Sequence, residues 1–126
     1  MHKELSSAFR SLWRAGMAVA ISTKFPGHRF VYRDLLRDAF RTHSPSYFSQ
    51  ERVLNTVMFL QTASMRGTLQ HKLMKNRFHI QMFRRKQGRR LVHLSTPAER
   101  KYFLSIYDTY EACLKKIGHT YNIYLL

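Results

Sequence analysis

Ala8-Phe9-Arg10-Ser11-Leu12-Trp13-Arg14 and Arg37-Asp38-Ala39-Phe40-Arg41 each set arginines beside an apolar stripe. Around the first segment, Leu5, Ala8, Phe9, Leu12, Trp13, Gly16, Met17 and Ala20 recur at steps of three and four. That is the period of an amphipathic helix, predicted here over residues 5–21. Pro26 and Gly27 punctuate a loop after it. Around the second segment, Tyr32, Leu35, Leu36, Ala39, Phe40 and His43 repeat the spacing and predict a helix over residues 29–42. Arg33, Arg37 and Arg41 fall four apart and form a stripe on one flank of it.

Working outward, Ser44-Pro45 reads as a stop and a new start, with Pro at a first helical position. A single long third helix is predicted from Ser49 to between Ile80 and Arg84. Val53, Val57, Leu60, Ser64, Gly67, His71, Met74 and Phe78 make its seam. Ser64 and Gly67 are small and leave room for a neighbour, although glycine inside a helix costs ~1 kcal/mol against alanine. No Asp or Glu occurs from Arg52 to Ala98. Within that stretch Arg84, Arg85, Lys86, Arg89 and Arg90 crowd around Gly88, read as a basic loop or helix end and not core, and assigned to a loop over residues 84–95.

Thr96-Pro97-Ala98-Glu99 is a capping box with Pro at the first position, so a fourth helix starts there. Phe103, Ile106, Tyr107, Tyr110, Cys113, Leu114 and Ile117 give its apolar face, Gly118 suits a left-handed cap, and the apolar tail 119–126 is expected to dock. The fold class is all-α: a three-helix antiparallel bundle over residues 1–83, the basic loop 84–95, and an added C-terminal helix with its tail over 96–126, in one domain.

The bulk properties set bounds. With 126 residues and 44% hydrophobic side chains, the chain suits one domain with a real core. It carries 22 Lys and Arg against 7 Asp and Glu, a formal charge of +15 and a pI near 10.7. Such a surplus calls for an acidic partner: nucleic acid, an anionic lipid surface or an acidic protein. The one cysteine, Cys113, excludes an internal disulfide and is expected to be a small core residue. No apolar run approaches the roughly 20 residues that span a bilayer. Residues 1–22 are amphipathic and carry one acid, Glu4, a composition that also suits mitochondrial targeting; they are read as part of the fold. The histidines are scattered without a companion Cys or carboxylate, so no metal site is expected. No nucleophile–base set, phosphate loop or paired carboxylate appears, and the chain is read as a non-enzyme with no cofactor of its own.

These segments resemble the LYR-motif family of small mitochondrial proteins, whose first helix carries a Leu-Tyr-Arg triplet. Here the triplet is Ala8-Phe9-Arg10, followed by Leu12, Trp13 and the second basic residue Arg14. The family's downstream Phe corresponds to Phe40 in Arg37-Asp38-Ala39-Phe40-Arg41. A second triplet, Val31-Tyr32-Arg33, lacks that partner. Residues 7–80 are most similar to the branch named for formation of mitochondrial complexes.

The resemblance implies a partner in the mitochondrial matrix, the acidic acyl carrier protein, with an acyl-phosphopantetheine arm. It implies carrier contact for Arg10, Arg14, Arg37 and Arg41. It also implies an acyl tunnel shared with the core among Phe9, Leu12, Trp13, Leu36, Phe40, Leu60, Ser64 and Gly67. The role implied is assembly or stabilisation of a large complex, respiratory, ATP synthase or mitochondrial ribosome. Beside it stands a reading from charge alone: a basic structural protein that binds ribosomal RNA directly. In that reading Arg84, Arg85, Lys86, Arg89 and Arg90 neutralise phosphates or an acidic partner.

Overall fold

The structure, a computed structural model, describes residues 2–94 and 96–125. It contains α1 (His2–Ser22), α2 (Gly27–Thr42), a 3-10 turn (Pro45–Tyr47), α3 (Gln50–Ala63), α4 (Leu69–Leu94) and α5 (Pro97–Tyr121). Among the described residues there is no strand. The all-α expectation stands, with five helices where four were predicted.

The extra helix comes from Gly67. Its φ of +91° is a left-handed conformation that L side chains resist, and it falls in the turn between α3 and α4. The predicted third helix is therefore two. Thr68 starts the second: its hydroxyl donates to the carbonyls of Thr62 and Met65 and accepts the His71 N–H at 3.1 Å. Hydroxyl side chains compete with helical backbone bonds in this way, which is why they mark helix ends.

The core lies between α1, α2, α3 and α4. Leu12, Leu36, Tyr32 and Phe78 are wholly buried there, with Leu60 and Ala63 beside them. α1 and α2 run antiparallel, joined where Lys24 adopts a left-handed φ of 60°. Tyr32 crosses to α1, and its hydroxyl donates to the Leu12 carbonyl. Its ring lies where a side chain on Gly16 would be, so this glycine exists to admit the ring.

His28 is buried at the other end of this helix pair. The Thr23 hydroxyl donates to the Ala20 carbonyl at 2.7 Å and so accepts from His28 Nδ1 at 2.7 Å. That leaves Nε2 as an acceptor with no partner among the described residues. The rings of Phe25, His79 and Phe78 surround it. Burial first, then the nearby His79 and Lys75, push His28 from 6.5 down to about 4. The unfolded chain takes up this proton near pH 6.5, the folded chain only near 4. Stability present above pH 6.5 is therefore lost as pH falls from 6.5 to 4, by roughly 3 kcal/mol. Urea unfolding at pH 7.5 and pH 4 is expected to show that loss, and His28→Phe is expected to remove most of it. An equal pH slope in wild type and variant would show that His28 is not its source.

Residues 84–94 form the end of α4, so of the two readings, loop or helix end, the second holds; position 95 lies outside the described residues. Two carboxylates make the crowding tolerable: Arg85 pairs with Asp34 of α2 at 3.0 Å, and Arg84 pairs with Glu111 of α5. Arg84 also lies over the Tyr107 ring, whose hydroxyl donates to Gln87. A Cβ added to Gly88 would meet nothing within 4 Å, and the strong helix formers around it outweigh its ~1 kcal/mol cost. Thr96 and Glu99 form the expected capping box at the start of α5.

The far end of α5 departs from expectation in one respect. The left-handed cap is Asn122, one residue past the helix, while Gly118 is inside it and buried. A Cβ on Gly118 would meet the Ile123 carbonyl at 3.1 Å, so its bareness lets the tail fold back. The tail docks as expected. Ile123 and Tyr124 are buried, and the Arg52 Nε and Nη2 donate to the Ile123 carbonyl at 3.1 and 2.9 Å. Cys113 is exposed on α5, not part of the core. It occupies the flank of that helix that no neighbour covers.

Candidate functional site

The two segments that opened the sequence meet in space. Phe9 of α1 stands edge-on to Phe40 of α2, with centroids 5.1 Å apart, and Trp13 stacks on Phe9 at 5.9 Å. Phe40 in turn stacks on Phe48 at 4.2 Å. Edge-to-face and offset stacks are favoured aromatic geometries, each worth ~0.5–1.5 kcal/mol beyond burial. This chain of rings holds the start of α1 against the end of α2. Arg10 and Arg41 consequently lie at one end of the bundle, with Arg14 and Arg37 one turn further along their helices. All four are exposed, and none forms an ion pair among the described residues.

A cavity of about 450 Å³ opens beside these rings, between the first turns of α1 and the start of α3. Leu5, Ala8, Phe48, Val53 and Leu54 supply its apolar wall, and Lys3, Ser11 and Gln50 are among its polar residues. The inner core is closed by comparison. Leu12, Leu36 and Leu60 are buried and packed together, and Ser64 is half-buried at the end of α3. Gly67 is exposed in its turn, and a Cβ added there would meet nothing within 4 Å. It lies away from the seam it was expected to belong to. Beside the Phe9–Phe40 rings, the space available to a guest lies at the α1–α3 edge.

The basic cluster splits. Arg84 and Arg85 are half-buried and held by carboxylates, so they act as ties between helices. Lys86, Arg89 and Arg90 are exposed on α4 and carry no ion pair among the described residues. Their spacing of three and four puts them on one side of the helix.

A second concavity was invisible to sequence patterning because three separated elements build it. α3, the start of α4 and the end of α5 enclose an apolar groove of about 810 Å³, with Met58, Phe59, Leu69, Leu73, Ile117 and Tyr121 in its wall. Among the described residues no group of three or more His, Cys, Asp or Glu is placed to hold a metal, and no helix is long and apolar enough to cross a membrane.

Fold and surface define a small, strongly basic helical protein with an arginine-bearing end and two apolar concavities. The sequence is 63% identical over 125 residues to a UPF0593 mitochondrial protein of Schizosaccharomyces pombe, an alignment covering 99% of this chain and 100% of the relative. The chain belongs to the UPF0593 family. No family model matches the sequence, and no solved structure matches it.

Proposed function

We propose that this chain is a non-enzymatic mitochondrial adaptor of the LYR type, which binds acylated acyl carrier protein in the matrix and assembles or stabilises a large complex there. The mitochondrial setting follows the name of its relative. The observation that supports the reading is the Phe9–Phe40 contact, beside an open cavity, with the exposed Arg10 and Arg41 next to the two rings in sequence and Arg14 and Arg37 one turn further along their helices. In this reading Arg10, Arg14, Arg37 and Arg41 meet the acidic carrier, and the acyl chain enters the α1–α3 cavity. Exposed ion pairs contribute only ~0–1 kcal/mol each. The chain matters more: eight buried methylenes would contribute roughly 6 kcal/mol.

The test is co-purification from mitochondria followed by intact mass, which reads the carrier and its acyl group directly. Arg10→Glu with Arg41→Glu is expected to weaken carrier binding about 10-fold or more, equivalent to ~1.4 kcal/mol, and to leave the melting curve unchanged. Undiminished binding by this double variant sinks the assignment. A second reading, direct contact with ribosomal RNA, is favoured by Lys86, Arg89 and Arg90 alone. It expects that charge reversal of these three removes ribosome association, with a shallower salt dependence of RNA binding.

A further inference from the structure

The groove between α3, α4 and α5 belongs to neither of those surfaces. Its rim is unusually exposed for large apolar side chains: Met58 is 65%, Leu69 78% and Tyr121 67% accessible. It also continues along α5. Tyr102, Ile106, Cys113 and Ile117 follow at steps of four, seven and four, which places them on one face of that helix. Tyr102, Ile106 and Cys113 are exposed, and Ile117 leads the stripe into the groove. From Tyr102 to Tyr121 the stripe is about 30 Å long at ~1.5 Å per residue. Thr109 interrupts this face between Ile106 and Cys113; singly exposed apolar residues need no explanation, but a strip that runs on from an apolar groove in this way marks an interaction site.

The charge around the strip selects the occupant. Lys72 lines the groove, and Lys116 adjoins Ile117 on α5. α4 contains no acid, and the acid of α3, Glu51, is in its first turn. On α5, Glu99 is used in the capping box and Glu111 by Arg84. By helical spacing Asp108 falls on the face opposite Ile106 and Cys113. The strip is therefore apolar with cationic margins and no carboxylate of its own.

We infer that this groove and the α5 stripe receive an acidic amphipathic helix of a different protein, laid along α5 with its apolar face in the groove. Helix-in-groove recognition uses anchors at steps of three and four on one face, and the exposed methionine Met58 suits a surface that repacks around them. A second copy of this chain is disfavoured because both would carry +15. A bilayer is disfavoured because the groove is concave between three helices. The inference stands without the carrier reading.

Cys113, the chain's one cysteine, is a native attachment point next to the groove. A benzophenone maleimide coupled to it in the full-length protein, photolysed in mitochondrial extract, reports its neighbour by mass spectrometry of the cross-linked peptide. The expected product joins Cys113 to a peptide of another protein that has an apolar three-four repeat flanked by Asp and Glu. Met58→Glu with Leu69→Glu, both on exposed side chains, is expected to lower that product at least ten-fold, and Lys72→Glu alone to lower it several-fold. Cross-links to a second copy, to lipid or to RNA overturn the inference, as does a product insensitive to these variants. A cross-link to a helix of the acyl carrier sustains the groove and moves the carrier away from α1 and α2, so the two readings fail separately.

Discussion

Gly16→Ala is expected to destabilise the protein by about 2–4 kcal/mol, although alanine is the better helix former. A Cβ on Gly16 would overlap Cζ, Cε2 and the hydroxyl oxygen of Tyr32, far inside contact distance. Tyr32 cannot yield easily, because it is wholly buried and also packs edge-on against Phe78 at 6.0 Å. Overpacking of this kind costs ~1–3 kcal/mol. Moving the ring also breaks the hydroxyl's bond to the Leu12 carbonyl, and a buried polar group left unmatched costs ~1–3 kcal/mol more. Against these, the gain in helix propensity is ~1 kcal/mol. Burial already pushes the Tyr32 phenol far up, so the hydroxyl remains a donor through the neutral range.

Urea unfolding of a double-mutant cycle isolates the cause. In a Tyr32→Leu background the ring is gone, and Gly16→Ala is expected to be close to neutral or slightly stabilising. The coupling between the two sites should therefore exceed about 2 kcal/mol, within the range of directly touching residues. Equal effects of Gly16→Ala in both backgrounds would show that the glycine serves something other than the tyrosine.

Gly16 also shows where sequence reasoning reached its limit. The periodicity of α1 and α2 was readable, and so was the inward placing of Phe9 and Phe40, because side chains three and four apart share a face whatever lies opposite; that the two rings meet is a finding of the structure. The capping box at Thr96 was readable because all its atoms are local. Three glycines were misread or passed over, each for want of the partner. Gly67 fitted a helical seam by spacing, yet it is the left-handed residue in the turn that separates α3 from α4. Gly118 fitted a cap by position, yet it makes room for the Ile123 carbonyl. Gly16 fitted an apolar stripe, with nothing in α1 to announce Tyr32.

The basic run behaved similarly. Five like charges in sequence read as a solvated loop or helix end, and Asp34 and Glu111, far away along the chain, fix two of them and favour the helix. Of the candidate site, the arginines of α1 and α2 were legible individually, and their common end followed from the ring contact. The α3–α4–α5 groove was not legible, since it depends on the break at Gly67 that lets α4 leave the line of α3. Cys113 was misplaced for the same reason: an apolar helix face was assumed to be covered.

Tyr124→Ala is expected to cost about 4 kcal/mol, the larger of two separable effects at the C-terminal tail. Tyr124 is 4% exposed and packs against the core and the rings of Tyr47 and Phe48. Truncating a buried aromatic side chain to alanine costs ~3–5 kcal/mol through lost burial and the cavity left behind. The polar part is distinct. The hydroxyl donates to the Tyr47 carbonyl at 2.6 Å and accepts the Ser49 N–H at 3.0 Å, which joins the tail to the residues that start α3. Tyr124→Phe keeps the ring and leaves both groups unmatched near the surface, an expected loss of ~1–2 kcal/mol. The backbone bond from the Tyr124 N–H to the Thr56 hydroxyl survives both changes, so neither abolishes docking outright. Because Tyr121 and Ile123 line the groove, loosening the tail also removes one wall of it. Tyr124→Ala should thus lower the Cys113 cross-link under conditions where the protein is still folded, while Tyr124→Phe should leave it near wild type. Unfolding midpoints in urea rank the stability effects, and the photolysis yield ranks the groove. If alanine and phenylalanine variants unfold alike, the hydroxyl rather than the ring holds the tail. If both unfold like wild type, the tail is not an anchored part of the fold and the groove loses its α5 wall.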